Sequence, residues 1–131
     1  AKFLGSPSMN TIPCVIESGG ANAAVRPNGC EAIRVQAAIP EGAKGAKATF
    51  GVRPEDLEIT TGDDAIFRGT IDIVEQLGEV TLVYVDIGTD EPIVAKLEND
   101  IPFAKGEQIA LTSPLKHLQV FDEKGVAYRR T

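Results

Sequence analysis

At 131 residues the chain has the length of one domain, or of two small ones sharing strands; a 43% apolar share with 13 Gly and 8 Pro fits a turn-rich globular protein and not a disordered one. The formal net charge of −6 lies entirely in the second half, since residues 1–60 carry six Lys/Arg against six Asp/Glu and residues 61–131 carry seven against thirteen. An acidic surface repels phosphate backbones, so a nucleic-acid partner is disfavoured, and no apolar run reaches the length of a membrane span.

The opening AKFLGSPSMN has no secretory h-region, and a cytoplasmic location is expected. Ala1 to Leu4 followed by Gly5-Ser6-Pro7 reads as a helix stop without its helix, so the polypeptide is expected to extend upstream. Ile12 to Glu17 reads as a strand, Ser18-Gly19-Gly20 as its turn and Ala23 to Arg26 as the return. Pro27-Asn28-Gly29 is a second turn signal, because Asn-Gly tolerates positive φ. Glu31 to Ile39 is strand-like, Pro40 to Lys47 a loop, and Thr49 to Val52 a strand ending where Pro54 forces Arg53 into an extended conformation. Glu55 to Ile59 continues briefly before Thr61-Gly62-Asp63-Asp64 turns the chain.

Ala65 to Gly88 carries the strongest pattern. Phe67, Ile71 and Ile73 alternate with Arg68, Thr70 and Asp72, which predicts a half-buried strand with Ile73 on the apolar side. At Ile73-Val74 the alternation changes phase, as at a bulge. Leu77-Gly78-Glu79 reads as a turn, and Thr81 to Ile87 as a second strand covered on most of both faces. Ile93 to Leu97 follows as a strand, Asn99 to Gly106 as a loop, Glu107 to Thr112 and Leu115 to Phe121 as strands, and Asp122 to Gly125 as a hairpin turn. Short strands separated by Gly/Pro turns predict an all-β fold, a barrel or a sandwich.

Catalytic and metal chemistry finds little support. Gly42 to Thr49 resembles a phosphate loop, but in no place is Gly followed by Lys, and a solvated loop is the better reading. Ser18-Gly19-Gly20 echoes an ATPase signature without its flanking residues. Glu55-Asp56 and Asp63-Asp64 are neighbours in extended chain, so each pair diverges. His117 is the single histidine, no strained serine elbow accompanies it, and Cys14 and Cys30 lack metal-ligand spacing; two buried thiols are expected in preference to the alternative, a disulfide. Arg53 is expected to be partly buried and paired with Glu55 or Glu75.

Four ordered segments carry a family likeness: Gly5 to Asn10 (GSPSMN), Gly51 to Leu57 (GVRPEDL), Gly69 to Gly78 (GTIDIVEQLG), and the tail from His117-Leu118 through Phe121 to Arg129-Arg130. Together they closely resemble the C-terminal regulatory region of ATP-binding subunits of bacterial carbohydrate and glycerol-phosphate ABC importers, of the maltose-importer type, including its TOBE element. The resemblance implies an OB-fold-like, all-β region built from interleaved halves: residues 1–10 as the tail of the linker from a nucleotide-binding domain, and 11–131 as the regulatory domain with its TOBE element at about 64–122. Pro7, Met9, Asn10, Arg53, Pro54, Glu55, Glu75 and Gly78 are the structural and interface candidates it marks.

No catalytic, cofactor or metal site is implied within this chain. ATP and magnesium belong to the nucleotide-binding domain of the family, whose Walker and signature motifs are absent here. The implied partners are a second copy, the chain's own nucleotide-binding domain, membrane permease subunits and a cytoplasmic regulatory protein, at the inner face of the inner membrane. A competing reading, binding of a small oxyanion such as molybdate or tungstate, follows from the likeness of TOBE elements to oxyanion-binding domains. It is weakened by the acidic run Ala95 to Asp100. Oligonucleotide binding would need aromatics on a basic groove, where only Tyr84 and Phe67 qualify.

Overall fold

The computed structural model describes residues 8–98 and 102–131, so the expected helix tail at Ala1 to Leu4, Pro7, and the start of the loop beginning at Asn99 lie outside the described residues. Among the described residues ten strands form two five-stranded sheets, and the only helices are short 3-10 turns. The all-β, OB-like expectation therefore holds. The chain interleaves between two compact units, one formed by residues 1–10 and 53–113 and the other by 11–52 and 114–131.

The second unit holds β1 (Asn10–Ser18, whose first residue belongs to the first unit), β2 (Ala24–Pro27), β3 (Ile33–Arg34), β4 (Lys47–Val52) and β10 (Gln119–Phe121), in the sheet order β10-β4-β1-β2-β3. Strict alternation along β1 buries Ile12, Cys14 and Ile16 and leaves Thr11, Pro13 and Val15 outside, as a one-sided strand requires. The Asn28-Gly29 turn joins β2 to the segment entering β3, with the Cys30 amide donating to the Pro27 carbonyl at 3.0 Å. The strand expected over Glu31 to Ile39 is shorter than its pattern. Ladder pairing stops at Arg34, yet Val35, Ala37 and Ile39 remain buried, and Ala37 bridges Arg130 of the C-terminal segment. Alternation reports burial, and burial here outlasts the ladder. Leu115 to Phe121 is likewise not one strand: Pro114 opens a 3-10 turn over Leu115–His117, and only Gln119–Phe121 pairs, with β4. His117 thus sits on a turn.

The first unit holds β5 (Glu58–Ile59), β6 (Phe67–Leu77), β7 (Val80–Asp86), β8 (Ile93–Glu98) and β9 (Gln108–Thr112), in the order β5-β9-β6-β7-β8. Its core is Phe67, Ile71, Val83, Val85, Ile93, Ala95 and Leu111, each at most 2% exposed. Burial of these side chains, worth about 1.5–3 kcal/mol for each large one, is what holds the curved hairpin in place.

The predicted bulge is present, slightly upstream of its expected place. Ile71 faces Val85 and Ile73 faces Tyr84, so Asp72 is the extra residue. That insertion corrects the sequence reading of Ile73. Past Asp72 the faces exchange, and Ile73 is 49% exposed, while Ile71 stays in the core.

Candidate functional site

Among the described residues no cluster of His, Cys, Asp and Glu is placed to hold a metal ion. The residues singled out by motif instead fall into two groups within the first unit. One surrounds β8; the other lies on the arm made by the far ends of β6 and β7.

At β8, Asn10 is buried, and its side-chain amide covers the backbone of Val94. Its Nδ2 donates to the Val94 carbonyl at 2.9 Å, and its Oδ1 accepts from the Val94 amide at 2.8 Å. In an antiparallel strand both polar atoms of one residue point to the same side. Those of Val94 therefore point away from β7, where no further strand continues the sheet among the described residues. Asn suits this position because a primary amide offers one donor and one acceptor, matching one residue of strand edge. Pro54 opens a 3-10 turn over Pro54–Asp56 that packs beside β8, with Pro54 buried and Glu55 outside. Its fixed φ suits the first helical position, and Arg53 before it is extended, with φ −77° and ψ 146°. Met9, half-buried, precedes Asn10. Two motifs far apart in sequence thus converge on one strand.

The expected ion pair of Arg53 does not form. Arg53 is exposed, and the salt bridge among the described residues joins Arg26 to Glu17 at 3.1 Å. Pro54 turns inward at the corner, and the long Arg53 side chain on the opposite side reaches solvent, where a partner adds little. Glu75 has a different partner: the Tyr84 hydroxyl donates to its Oε1 at 2.7 Å across the β6–β7 ladder. That bond to a carboxylate raises the Tyr84 pKa, with burial adding to it. Gly78, with φ 72°, occupies the first position of the two-residue turn Gly78-Glu79, a place where positive φ matches the twist of the flanking strands.

Sequence reasoning missed Tyr84 as the partner of Glu75 and Glu17 as the partner of Arg26. The first was not legible, since which β7 side chain lies beside Glu75 depends on where the bulge sets the register. Tyr84 is half-buried and engaged, and Phe67 is 2% exposed, so neither offers a stacking platform for bases. Cys14 is buried and Cys30 half-buried, both as free thiols, and burial raises both pKa values, that of Cys14 to about 11. A thiol held protonated is a poor nucleophile.

The chain matches the model of the TOBE domain over residues 50–121. It belongs to the TOBE domain family. The model of the MalK OB fold domain matches residues 5–57, overlapping the TOBE match at the Arg53-Pro54 corner. Among curated relatives, the chain is 41% identical over 98% of its length to the alpha-glucoside transport ATP-binding protein AglK of Rhizobium meliloti, covering 36% of that protein. It is 36% identical over 95% of its length to the sn-glycerol-3-phosphate import ATP-binding protein UgpC of Chromohalobacter salexigens, covering 33% of it. It is 30% identical over 99% of its length to the maltose/maltodextrin import ATP-binding protein MalK of Shigella flexneri, covering 36% of it. This TOBE chain therefore spans about a third of the length of the curated relatives it matches, and its kinship with importer ATP-binding subunits is as its motifs indicate. Among solved structures, the cytoplasmic molybdate-binding protein ModG aligns with a TM-score of 0.71 over 89% of this chain and 95% of that one, at 13% identity. That likeness is one of fold.

Proposed function

We propose that this TOBE chain is the regulatory and pairing module of an ABC importer ATP-binding subunit, whose full-length form couples ATP hydrolysis to uptake of a carbohydrate or glycerol phosphate. The observation that carries the reading is the pair of family matches running from residue 5 to residue 121, joined to relatives named as transport and import ATP-binding proteins. In this reading residues 1–10 lead from a nucleotide-binding domain, and 11–131 form the regulatory domain. ATP and magnesium are handled by the former, at the inner face of the membrane beside permease subunits.

The physical requirement is a rigid body that associates with a second copy while the motor domains open and close. Each β unit is built on its own buried aliphatic core, which suits it to such a part. In this reading Asn10 and the Pro54 turn, both beside β8, anchor the leading segment, and the exposed Arg53 and Glu55 flank that turn. Glu75 and Gly78 shape the arm. In this reading a cytoplasmic regulatory protein is a further partner of the module.

The test is a chimaera in which this chain replaces the matching segment of AglK, assayed with its permease in lipid. Retained substrate-stimulated ATP hydrolysis is expected, and a chimaera that hydrolyses ATP without responding to substrate would count against the reading. Oxyanion binding is the alternative, favoured by the fold likeness to ModG and opposed by the fourteen Asp/Glu against five Lys/Arg in residues 1–10 and 53–113. Titration calorimetry with molybdate separates the two, since saturable micromolar heat would support the alternative.

A further inference from the structure

The outer edge of β6 is covered over only part of its length. Pairing with β9 runs from Phe67↔Leu111 to Thr70↔Gln108, and one more pair of backbone bonds joins Ile71 to Glu107 and Gly106. From Asp72 to Leu77 the strand pairs with β7 on one side, and among the described residues nothing pairs with the other. An open edge of that length is a template for another strand, and proteins usually blunt it with charge. Here Asp72, Glu75 and the turn residue Glu79 carry the charge, all exposed.

The side chains along the edge specify an occupant. After the bulge, Ile73, Glu75 and Leu77 share one face, with Ile73 49% and Leu77 41% exposed on either side of the carboxylate. Tyr84 holds Glu75 in place from the neighbouring strand. An apolar–acidic–apolar series fits a strand that presents apolar–basic–apolar residues in return. A second copy fits poorly. Antiparallel pairing about a two-fold at Glu75 sets Ile73 against Leu77, but it also sets Glu75 against its own counterpart, and like charges directly opposed are destabilising. The surrounding unit adds a long-range field: residues 1–10 and 53–113 carry five Lys/Arg against fourteen Asp/Glu, a net −9, while the other unit carries eight against five, a net +3.

We propose that the edge Asp72–Leu77 of β6 docks an extended basic segment of another polypeptide by strand addition, with Glu75 facing a Lys or Arg and Ile73 and Leu77 covering its apolar neighbours. Backbone bonds supply the affinity and the carboxylate the choice of partner. The inference rests on the edge and its charge, independently of the importer reading.

The test uses the intact chain and a labelled synthetic peptide of alternating lysine and valine, with two controls: the same peptide with glutamate for lysine, and one with proline for the central valine. Expected are saturable anisotropy with the lysine peptide, slowed amide exchange confined to 72–77, and an affinity weakened about fivefold or more by Glu75→Lys. Equal binding by the proline peptide would reduce the effect to bulk charge and overturn strand addition. Absence of binding, or protection in the other unit, overturns the proposal as well. Protection of 72–77 that rises with protein concentration and without peptide would assign the edge to a second copy, again overturning it.

Discussion

Asn10 fastens the outer edge of β8 with two bonds from one side chain, and its burial makes both expensive to lose. Asn10→Ala leaves the Val94 amide and carbonyl without those partners and is expected to cost about 2–4 kcal/mol in urea unfolding. Asn10→Asp sets a buried carboxylate oxygen against the Val94 carbonyl and should cost at least as much at neutral pH. Arg53→Ala should stay within about 0.5 kcal/mol of the native midpoint, because the side chain is exposed. The two positions were equally prominent in their motifs, and the difference between them was not legible in the sequence. Which side of a proline corner faces inward depends on what packs beside it, and that neighbour, β8, lies some forty residues away.

The thiol of Cys14 gives a pH test. Burial raises it from an ordinary value of 9.0 to about 11, so the folded state favours the protonated form. The associated stability is present below pH 9 and is lost as pH rises through about 11, by roughly 2 kcal/mol in all. Unfolding free energies measured at pH 8 and pH 11 should differ less for Cys14→Ala than for the native chain, and an identical difference would rule out this assignment.

At the scale of elements, β6 decides the architecture of its unit. Gly69 lets it approach β7: a Cβ there would lie 2.2 Å from the Asp86 carbonyl oxygen, so Gly69→Ala must push the strands apart. A loss of about 2 kcal/mol or more is expected, with faster amide exchange along Thr70 to Asp86; native-like exchange would show that the contact yields freely. The hairpin, its turn and the existence of a bulge were legible because alternation and Gly-containing turns are local signals. The position of the bulge was not, since shifting it by one residue changes which side chains face out without changing the composition of the strand. The same limit explains Leu115 to Phe121. Its apolar spacing suits a strand, yet Pro114 initiates a 3-10 turn, and only the last three residues find a partner, in β4.

For the molecule as a whole, the all-β class and the kinship with importer ATP-binding subunits were readable from ordered motifs, whereas the division of charge between the units was not. The acidic excess read over residues 61–131 stops at 113, because residues 114–131, with four Lys/Arg against two Asp/Glu, belong with 11–52 in the other unit. On this account the chain is a pairing module, and the most direct measurement is sedimentation equilibrium of the AglK chimaera without nucleotide, when motor domains alone have least reason to associate. A particle of twice the chimaera's chain mass is predicted, falling to one chain when this segment is deleted. A chimaera that sediments as a single chain at micromolar concentration would contradict the account.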